Sequence, residues 1–393
     1  MPRPLLAAVV LLAGYGLAPR SSAVAPTELT PHQPYEGQFG EPVTYEIDFR
    51  AVLTAPYHTE KLRVWIPTPP SDAIQQVVSD RFSTFPAEVE PTHASEPLYG
   101  NRFAYFEFDH PQGAQIIRRQ LTVVTREVKW GVEAGRVASV DEWPSSFAPY
   151  LRTDESVAIT PEIEGVVRQV SRPAESGFGN LLNAIDWVDA NLTYDHSRAS
   201  LQASSRHAIT QRTGHCSDYH GLCSAFGRAL RFPTRVTYGL ALVPKNSPSH
   251  CKLEAFLPPY GWVSFDVSET QKLIDRIESD KSVPESNRES LGAAARGRLH
   301  SGFRESAWLL MTRGADYDLA PPAGRRVNVV RTLYAEADGE PLPEPDPADA
   351  SQREYGWMTA HRYAASRDTP HPFKDPATLR GWKVDSPVQS APE

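Results

Sequence analysis

Cysteine is scarce in this chain. Only three of the 393 residues are cysteine, and Cys216, Cys223 and Cys251 fall in one short region. Such a set cannot build a disulfide scaffold. An odd number also leaves at least one thiol unpaired or bridged between chains. A Cys223–Cys251 bridge stays open, because spacing does not fix connectivity. Basic excess is lacking too. The net charge is −8 with no long run of Lys or Arg, which removes the electrostatic basis for nucleic acid or anionic lipid as partner. Internal repeats are absent. The one long apolar run, Leu5 to Ala18, is shorter than the roughly 20 residues a membrane-spanning helix needs.

That run reads as part of an export signal over residues 1–25. Arg3 supplies the positive charge, and small residues follow at Ser21, Ser22, Ala23 and Ala25. Cleavage after Ala23 fits best, since Pro26 would follow a cut after Ala25. An uncleaved anchor is the bland alternative, and no nearby cysteine offers a lipid attachment point. The expectation is a periplasmic or secreted protein, off the membrane once the signal is removed.

Proline is plentiful, at 36 residues, and points to many turns and an unfolded tail. Strand signals begin after a polar leader. Val43, Tyr45, Ile47 and Phe49 alternate with polar residues, the period of a half-buried strand. Leu62, Val64 and Ile66 repeat the pattern, then Ala104, Phe106 and Phe108, then Leu121, Val123 and Thr125. Short strands with no helical period between them predict a β-sandwich at about residues 38–135. Its scattered histidines, His58, His93 and His110, read as surface residues.

A second unit is expected at residues 150–340. Thr160 followed by Pro161 is a helix-start signal, and Ile163, Val166, Val167 and Val170 follow at helical spacing. A second helix carries Phe178, Leu181, Leu182, Ile185 and Val188, and Leu192-Thr193-Tyr194 reads as extended. Cys216 then opens a third helix, with Tyr219, Leu222, Cys223, Phe226, Ala229 and Leu230 on one apolar stripe. Pro233 ends it. Val236, Tyr238, Leu240 and Leu242 alternate next. His250, Lys252 and Glu254 share one face of a further strand, opposite Cys251, Leu253 and Ala255. A turn at Pro258-Pro259-Tyr260-Gly261 leads into Trp262, Ser264 and Asp266, so the two runs read as a hairpin. Thr270 to about His300 is expected to be partly helical, and Val327, Val329 and Leu333 to form a last strand. Residues 341–393 read as a largely disordered Pro-rich tail, in which Tyr355, Trp357 and Trp382 are candidates for docking on the body.

The chemistry lies in Cys216, His250 and Asp266. A thiol at a helix start meets partial positive charge and free N–H groups, which favour the thiolate. Histidine can carry the proton and return it to a leaving amine, and a carboxylate behind it fixes the tautomer. The Cys216 backbone N–H is one donor for an oxyanion; the sequence names no second. A lone cysteine at a helix start is more often structural, but the ordered histidine and aspartate strands favour a triad. Zinc at His215, Cys216 and His220 is a weaker alternative, because adjacent residues on a helix point about 100° apart. Cys223 reads as core, and Trp262 as a packing residue beside the carboxylate.

These pieces resemble the bacterial transglutaminase-like (papain-like) superfamily. Gly214-x-Cys216-x-Asp218-Tyr219 is similar to its nucleophile motif, Arg228 to Arg235 to its arginine and Pro-x-Arg segment, and His250 with Glu254 to its histidine strand. Gly261-Trp262-Val263-x-Phe265-Asp266 is similar to its aspartate strand. The likeness is specific over about residues 155–270. It implies an α+β chain: an all-β sandwich, then a core in which a cysteine-bearing helix packs on an antiparallel sheet. It also implies a Cys216–His250–Asp266 triad, a thioester, and a protein or peptide substrate with a glutamine-type or peptide amide; no cofactor and no metal ligands are expected, and calcium dependence is left open. Departures fall at Cys251, Lys252 and Arg231-Phe232. Water or an amine could accept the acyl group. A catalytically silent exported binding module on the same scaffold is the alternative reading.

Overall fold

The computed structural model describes residues 29–244, 249–343 and 355–382. The expected export signal lies outside the described residues. Among them, no helix is long and apolar enough to cross a membrane.

The chain is α+β, as the sequence implies. Two antiparallel sheets form the sandwich. One runs in the order Gly356–Ala365, Val43–Thr54, Ala114–Thr125, Gln75–Phe85; the other runs Glu340–Pro341, Tyr334–Ala337, Lys61–Thr68, Arg102–Asp109, Thr92–Ser95. The alternation read from Val43 onward is the burial seen, with Val43, Tyr45, Ile47, Phe49, Ala51 and Leu53 inside and the intervening residues not. Leu62, Val64, Phe106, Phe108, Leu121 and Val123 face them in one core.

The sandwich extends beyond its expected bounds. Gly356–Ala365 pairs along the whole of Val43–Thr54, from Gly356 opposite Thr54 to Ala365 opposite Tyr45. Tyr334–Ala337 pairs with Lys61–Thr68, so the last strand begins after Leu333 rather than at Val327. Part of the segment expected to be a loose tail thus supplies strands. Trp357 is buried, and Trp382 packs edge-on to Phe303 with centroids 5.2 Å apart. The aromatics anchor a stretch whose composition argued for disorder.

The second unit holds the helices Pro161–Val170, Gly177–Asn191, Ser205–Gln211 and Cys216–Ala229, and a four-stranded antiparallel sheet. That sheet runs in the order Gly261–Phe265, Ser249–Leu257, Thr234–Ala241, Trp308–Arg313. The Cys216–Ala229 helix packs on its Ser249–Leu257 strand, with Cys251, Leu253 and Ala255 in the core shared with Tyr219, Leu222 and Phe226. Thr270 to His300 is more helical than expected, as Val267–Ser279 and Glu285–His300.

Two side-chain amides from the sandwich close the open edge of this sheet. The Gln75 side chain accepts from Leu310 N–H at 2.8 Å and donates to Leu310 C=O at 2.9 Å. Asn101 does the same with Arg313, at 2.8 Å each way. Both amides are buried and satisfy backbone groups that an unpaired edge would leave without partners. The sandwich therefore fixes the back of the sheet that carries the site.

Candidate active site

The site begins at a tightly capped helix. His215 is the N-cap of Cys216–Ala229: its Nδ1 accepts from Ser217 N–H at 3.2 Å, while Asp218 Oδ2 accepts from His215 N–H at 3.2 Å. This reciprocal cap sets the direction in which Cys216 leaves the chain. Asp218 also accepts from Ser200 N–H at 3.1 Å and from the Ser200 hydroxyl, tying the preceding loop to the helix start. A Cβ at Gly214 would lie 2.5 Å from Asp218 Cβ, and one at Gly221 would lie 2.1 Å from Ala203 C=O. The loop can press on the helix only because both positions are glycine.

The helix is buried on every face from Cys216 to Arg228, not along one stripe. Its polar residues are therefore matched rather than solvated. Tyr219 Oη donates to Leu192 C=O at 2.8 Å. His215 and His220, the histidines considered for zinc, serve separate ends: one caps the helix and the other reaches the sheet. His220 Nε2 accepts from Val267 N–H at 3.1 Å, and its Nδ1 lies 3.6 Å from Cys251 Sγ. The first bond leaves the proton on Nδ1, so His220 donates to sulfur. Burial lowers its pKa to about 4 and keeps it neutral.

Cys216, His250 and Asp266 come together, all buried. His250 opens the Ser249–Leu257 strand, and Asp266 follows Gly261–Phe265, which pairs with it in antiparallel register from Leu253–Phe265 to Leu257–Gly261. His250 Nε2 meets Asp266 Oδ2 at 2.7 Å. Its other nitrogen, Nδ1, is buried with no hydrogen-bond partner in the resting protein, and the nearby Cys216 sulfur is among the groups that raise the ring's pKa. Asp266 divides its oxygens. Oδ1 caps the Val267–Ser279 helix by accepting from Glu269 N–H at 3.1 Å, and Oδ2 serves His250 and Lys252. Trp308 Nε1 donates to His250 C=O at 3.1 Å and fixes the strand behind the ring.

The electrostatics favour a thiolate–imidazolium pair. Hydrogen bonding from the Cys251 thiol, with the positive fields of His215 and His250, outweighs burial and holds the Cys216 pKa well below that of an ordinary thiol. Burial would depress His250, but the charge and hydrogen bond of Asp266 and the nearby Cys216 sulfur raise it to about 9. Burial alone would raise Asp266; Lys252 and His250 hold it well below the usual carboxylate range instead. Cys251 moves the other way, raised by burial and by the neighbouring sulfur. It therefore remains a thiol, able to donate. All three cysteines are free.

Sequence reasoning missed the supports around these residues. Lys252 Nζ lies 2.5 Å from Asp266 Oδ2 and 2.9 Å from Glu305 Oε2. Its phase with His250 on the strand was a usable signal; Glu305, on a distant loop, gave none. Arg235 Nη2 pairs with Glu254 Oε2 at 2.6 Å and lies over Trp262, 3.9 Å from the ring centroid. Trp262, itself buried, donates from Nε1 to Pro31 C=O at 2.8 Å. It packs the sheet, as expected, rather than lining a groove.

Comparison with known proteins agrees with this architecture. Residues 164–267 match the profile of the Transglutaminase-like superfamily. An uncharacterized protein of Haemophilus influenzae is 22% identical over 322 residues, spanning 73% of this chain and 83% of that protein. A crystal structure from Cytophaga hutchinsonii, assigned to the cysteine proteases, superposes with a TM-score of 0.56 at 15% identity, covering 86% of this chain and 96% of that one. At that identity the likeness speaks to the fold. Residues 164–267 thus form a domain of the transglutaminase-like superfamily.

Proposed function

We propose that the protein is an exported thiol acyl-transferase or hydrolase that acts on glutamine-type or peptide amides through Cys216, His250 and Asp266. One observation carries this reading: His250 is held by Asp266 at 2.7 Å on one nitrogen while the nearby Cys216 sulfur, of depressed pKa, is among the groups that raise the pKa of the ring. Export is inferred from the first 25 residues, where Arg3 precedes the apolar run and small residues follow it.

The chemistry runs in two halves. The Cys216 thiolate attacks the amide carbonyl, and the Cys216 backbone N–H at the helix start donates to the oxyanion. The His250 imidazolium then gives its proton to the departing amine. The C–N bond breaks, a thioester forms and His250 is left neutral. Water or an acceptor amine next gives a proton to His250 and attacks the thioester, whose C–S bond breaks to restore the thiolate. Asp266 keeps the ring oriented and stabilises its charged form throughout.

The test is intact mass after iodoacetamide at about pH 6, where an ordinary cysteine is mostly protonated. One label is expected on wild type, arriving at least about tenfold faster than on a free thiol, and none on Cys216→Ala. With glutamine peptides, wild type is expected to release ammonia in water and to incorporate an added amine, in proportions that decide between hydrolysis and transfer. Labelling no faster than a free thiol, or equal turnover by Cys216→Ala, would overturn the reading.

A further inference from the structure

One buried side chain beside the triad has no part in the two half-reactions: His220. It lies on the Cys216 helix, one turn after the nucleophile, so the two share a face. It is fully buried, and an imidazole is stable there only when both nitrogens are matched. Nε2 accepts from Val267 N–H at 3.1 Å. Val267 is the first residue of the helix that Asp266 caps, and its N–H has no acceptor within that helix. Nδ1, which carries the proton, lies 3.6 Å from Cys251 Sγ.

One ring thus meets the segments of all three triad members. It stands on the Cys216 helix, holds the residue after Asp266 and meets the residue after His250. Its centroid is 6.5 Å from that of His250, with the two rings at 83°. The placing of its proton matters as much as the distances. Nε2 lies 3.8 Å from Asp266 Oδ1, and a proton there would make it a donor that draws the carboxylate away from His250. With its lone pair taken by Val267 N–H, Nε2 cannot donate. Oδ2 is left to His250 at 2.7 Å and to Lys252, and Oδ1 to Glu269 N–H at 3.1 Å. The neighbouring Tyr219 reaches the same helix farther along, at Gln271, 2.8 Å away. It grips the helix, whereas His220 grips the turn that sets Asp266.

We propose that His220 is a positioning residue: through Val267 N–H and Cys251 it sets the span from the Cys216 helix to Asp266 and His250, and so the line along which His250 hands its proton to the departing amine. It touches no reacting atom and gives up no proton itself. Its loss therefore falls on the step that needs an aligned His250, and spares substrate binding and the thiolate.

The inference rests on the acyl-transfer reading, and two substrates separate the two. An amine leaves only with a proton from His250, whereas p-nitrophenolate leaves without one. Two variants of the full chain isolate the bond to Val267. His220→Gln has a carbonyl that reaches about as far as Nε2 and an amide N–H for Cys251. His220→Asn is one methylene shorter and falls short of Val267; His220→Leu takes its place should that protein not fold. Rates are taken per Cys216 labelled rapidly by iodoacetamide at about pH 6, so unfolded molecules do not count. With a glutamine peptide, His220→Asn is expected to lose about 100-fold in kcat with KM within about threefold of wild type. Acylation by p-nitrophenyl acetate is expected to stay within about fivefold of wild type. His220→Gln is expected to recover at least about tenfold of the lost kcat. Peptide turnover by His220→Asn within about threefold of wild type, amide and ester rates falling together, or His220→Gln no better than His220→Asn would overturn the role of His220 while leaving Cys216 as nucleophile. A wild type that turns over both substrates no faster than Cys216→Ala would overturn the acyl-transfer reading, and this inference with it.

Discussion

The sandwich and the site-bearing sheet are both antiparallel and share a wall, yet they treat charge in opposite ways. In Val43–Thr54 every second residue is buried and the others are not. Its charges, Glu46, Asp48 and Arg50, lie outward, the last two beside Arg118 of the neighbouring strand. In Thr234–Ala241 every residue is buried, and the adjoining strands bury Lys252, Glu254 and Asp266 as well. A sheet wetted on one face can leave its charges in water. A sheet covered on both faces must pair them, and there the field of each charge acts on its neighbours with little screening. The lesson is that the shifts that tune the thiolate come from charges buried together in the covered sheet, whereas on the wet face Asp48 is lowered chiefly by its exposed partner Arg118.

The most forceful way to test that contrast is Lys252→Met. The side chain keeps its length and loses its charge, leaving Asp266 and Glu305 as neighbouring buried carboxylates. Removing one partner of a buried ionic group costs about 3–5 kcal/mol. Chemical denaturation should show a loss of that size. The Asp266 pKa should rise as well, because Lys252 is the strongest influence holding it down. His250 would then lose part of its orienting charge, and Cys216 alkylation should slow near neutral pH. A stable, fully reactive Lys252→Met protein would mean that the buried pair is not what tunes the site.

The same contrast explains what could be read from the sequence. Strands with one wet face announce themselves, so the alternations at Val43, Leu62, Phe106 and Leu121 matched real strands. Gln75–Phe85 escaped because, after Gln75, neither face is fully buried and no apolar period exists. Gly356–Ala365 escaped for the same reason, with only its first two residues buried. Around the covered sheet, Cys216, His250 and Asp266 stand out in the sequence because each lies at the end of an element and carries a reactive group. Their supports do not. The Lys252–Glu305 pair and the His220–Cys251 contact depend on segments that meet only in the fold, with no local period to betray them.

Cys251 sharpens the contrast at smaller amplitude. Its thiol donates to Cys216, and this bond is the main influence lowering the Cys216 pKa. Cys251→Ala removes a donor that favours the thiolate, so the Cys216 pKa should rise. A hydrogen bond contributes about 1 kcal/mol, so the acid limb of the alkylation rate should move up by somewhat less than one pH unit. Cys251→Ser, which retains a donor, should restore most of it. Hydrolysis should still fall as pH climbs through about 9, where His250 loses the proton it must give to the leaving amine. An acid limb that stays in place in Cys251→Ala would show that His250 and the helix start hold the thiolate without Cys251.

The smallest effect is expected on the wet face. Arg118 meets Asp48 with two hydrogen bonds, at 3.0 and 2.9 Å, the best geometry an exposed pair can offer. Its side chain is nevertheless 40% exposed and that of Asp48 28%. Water and salt screen the attraction, and holding two long side chains in one arrangement opposes it. Arg118→Ala should therefore shift the melting midpoint by no more than about 2 °C. The iodoacetamide pH profile of Cys216 should superimpose on that of wild type. A displaced profile would mean that sandwich charges reach the thiolate through the shared wall, and the division between a tuned sheet and an inert one would have to be redrawn along the Gln75 and Asn101 contacts.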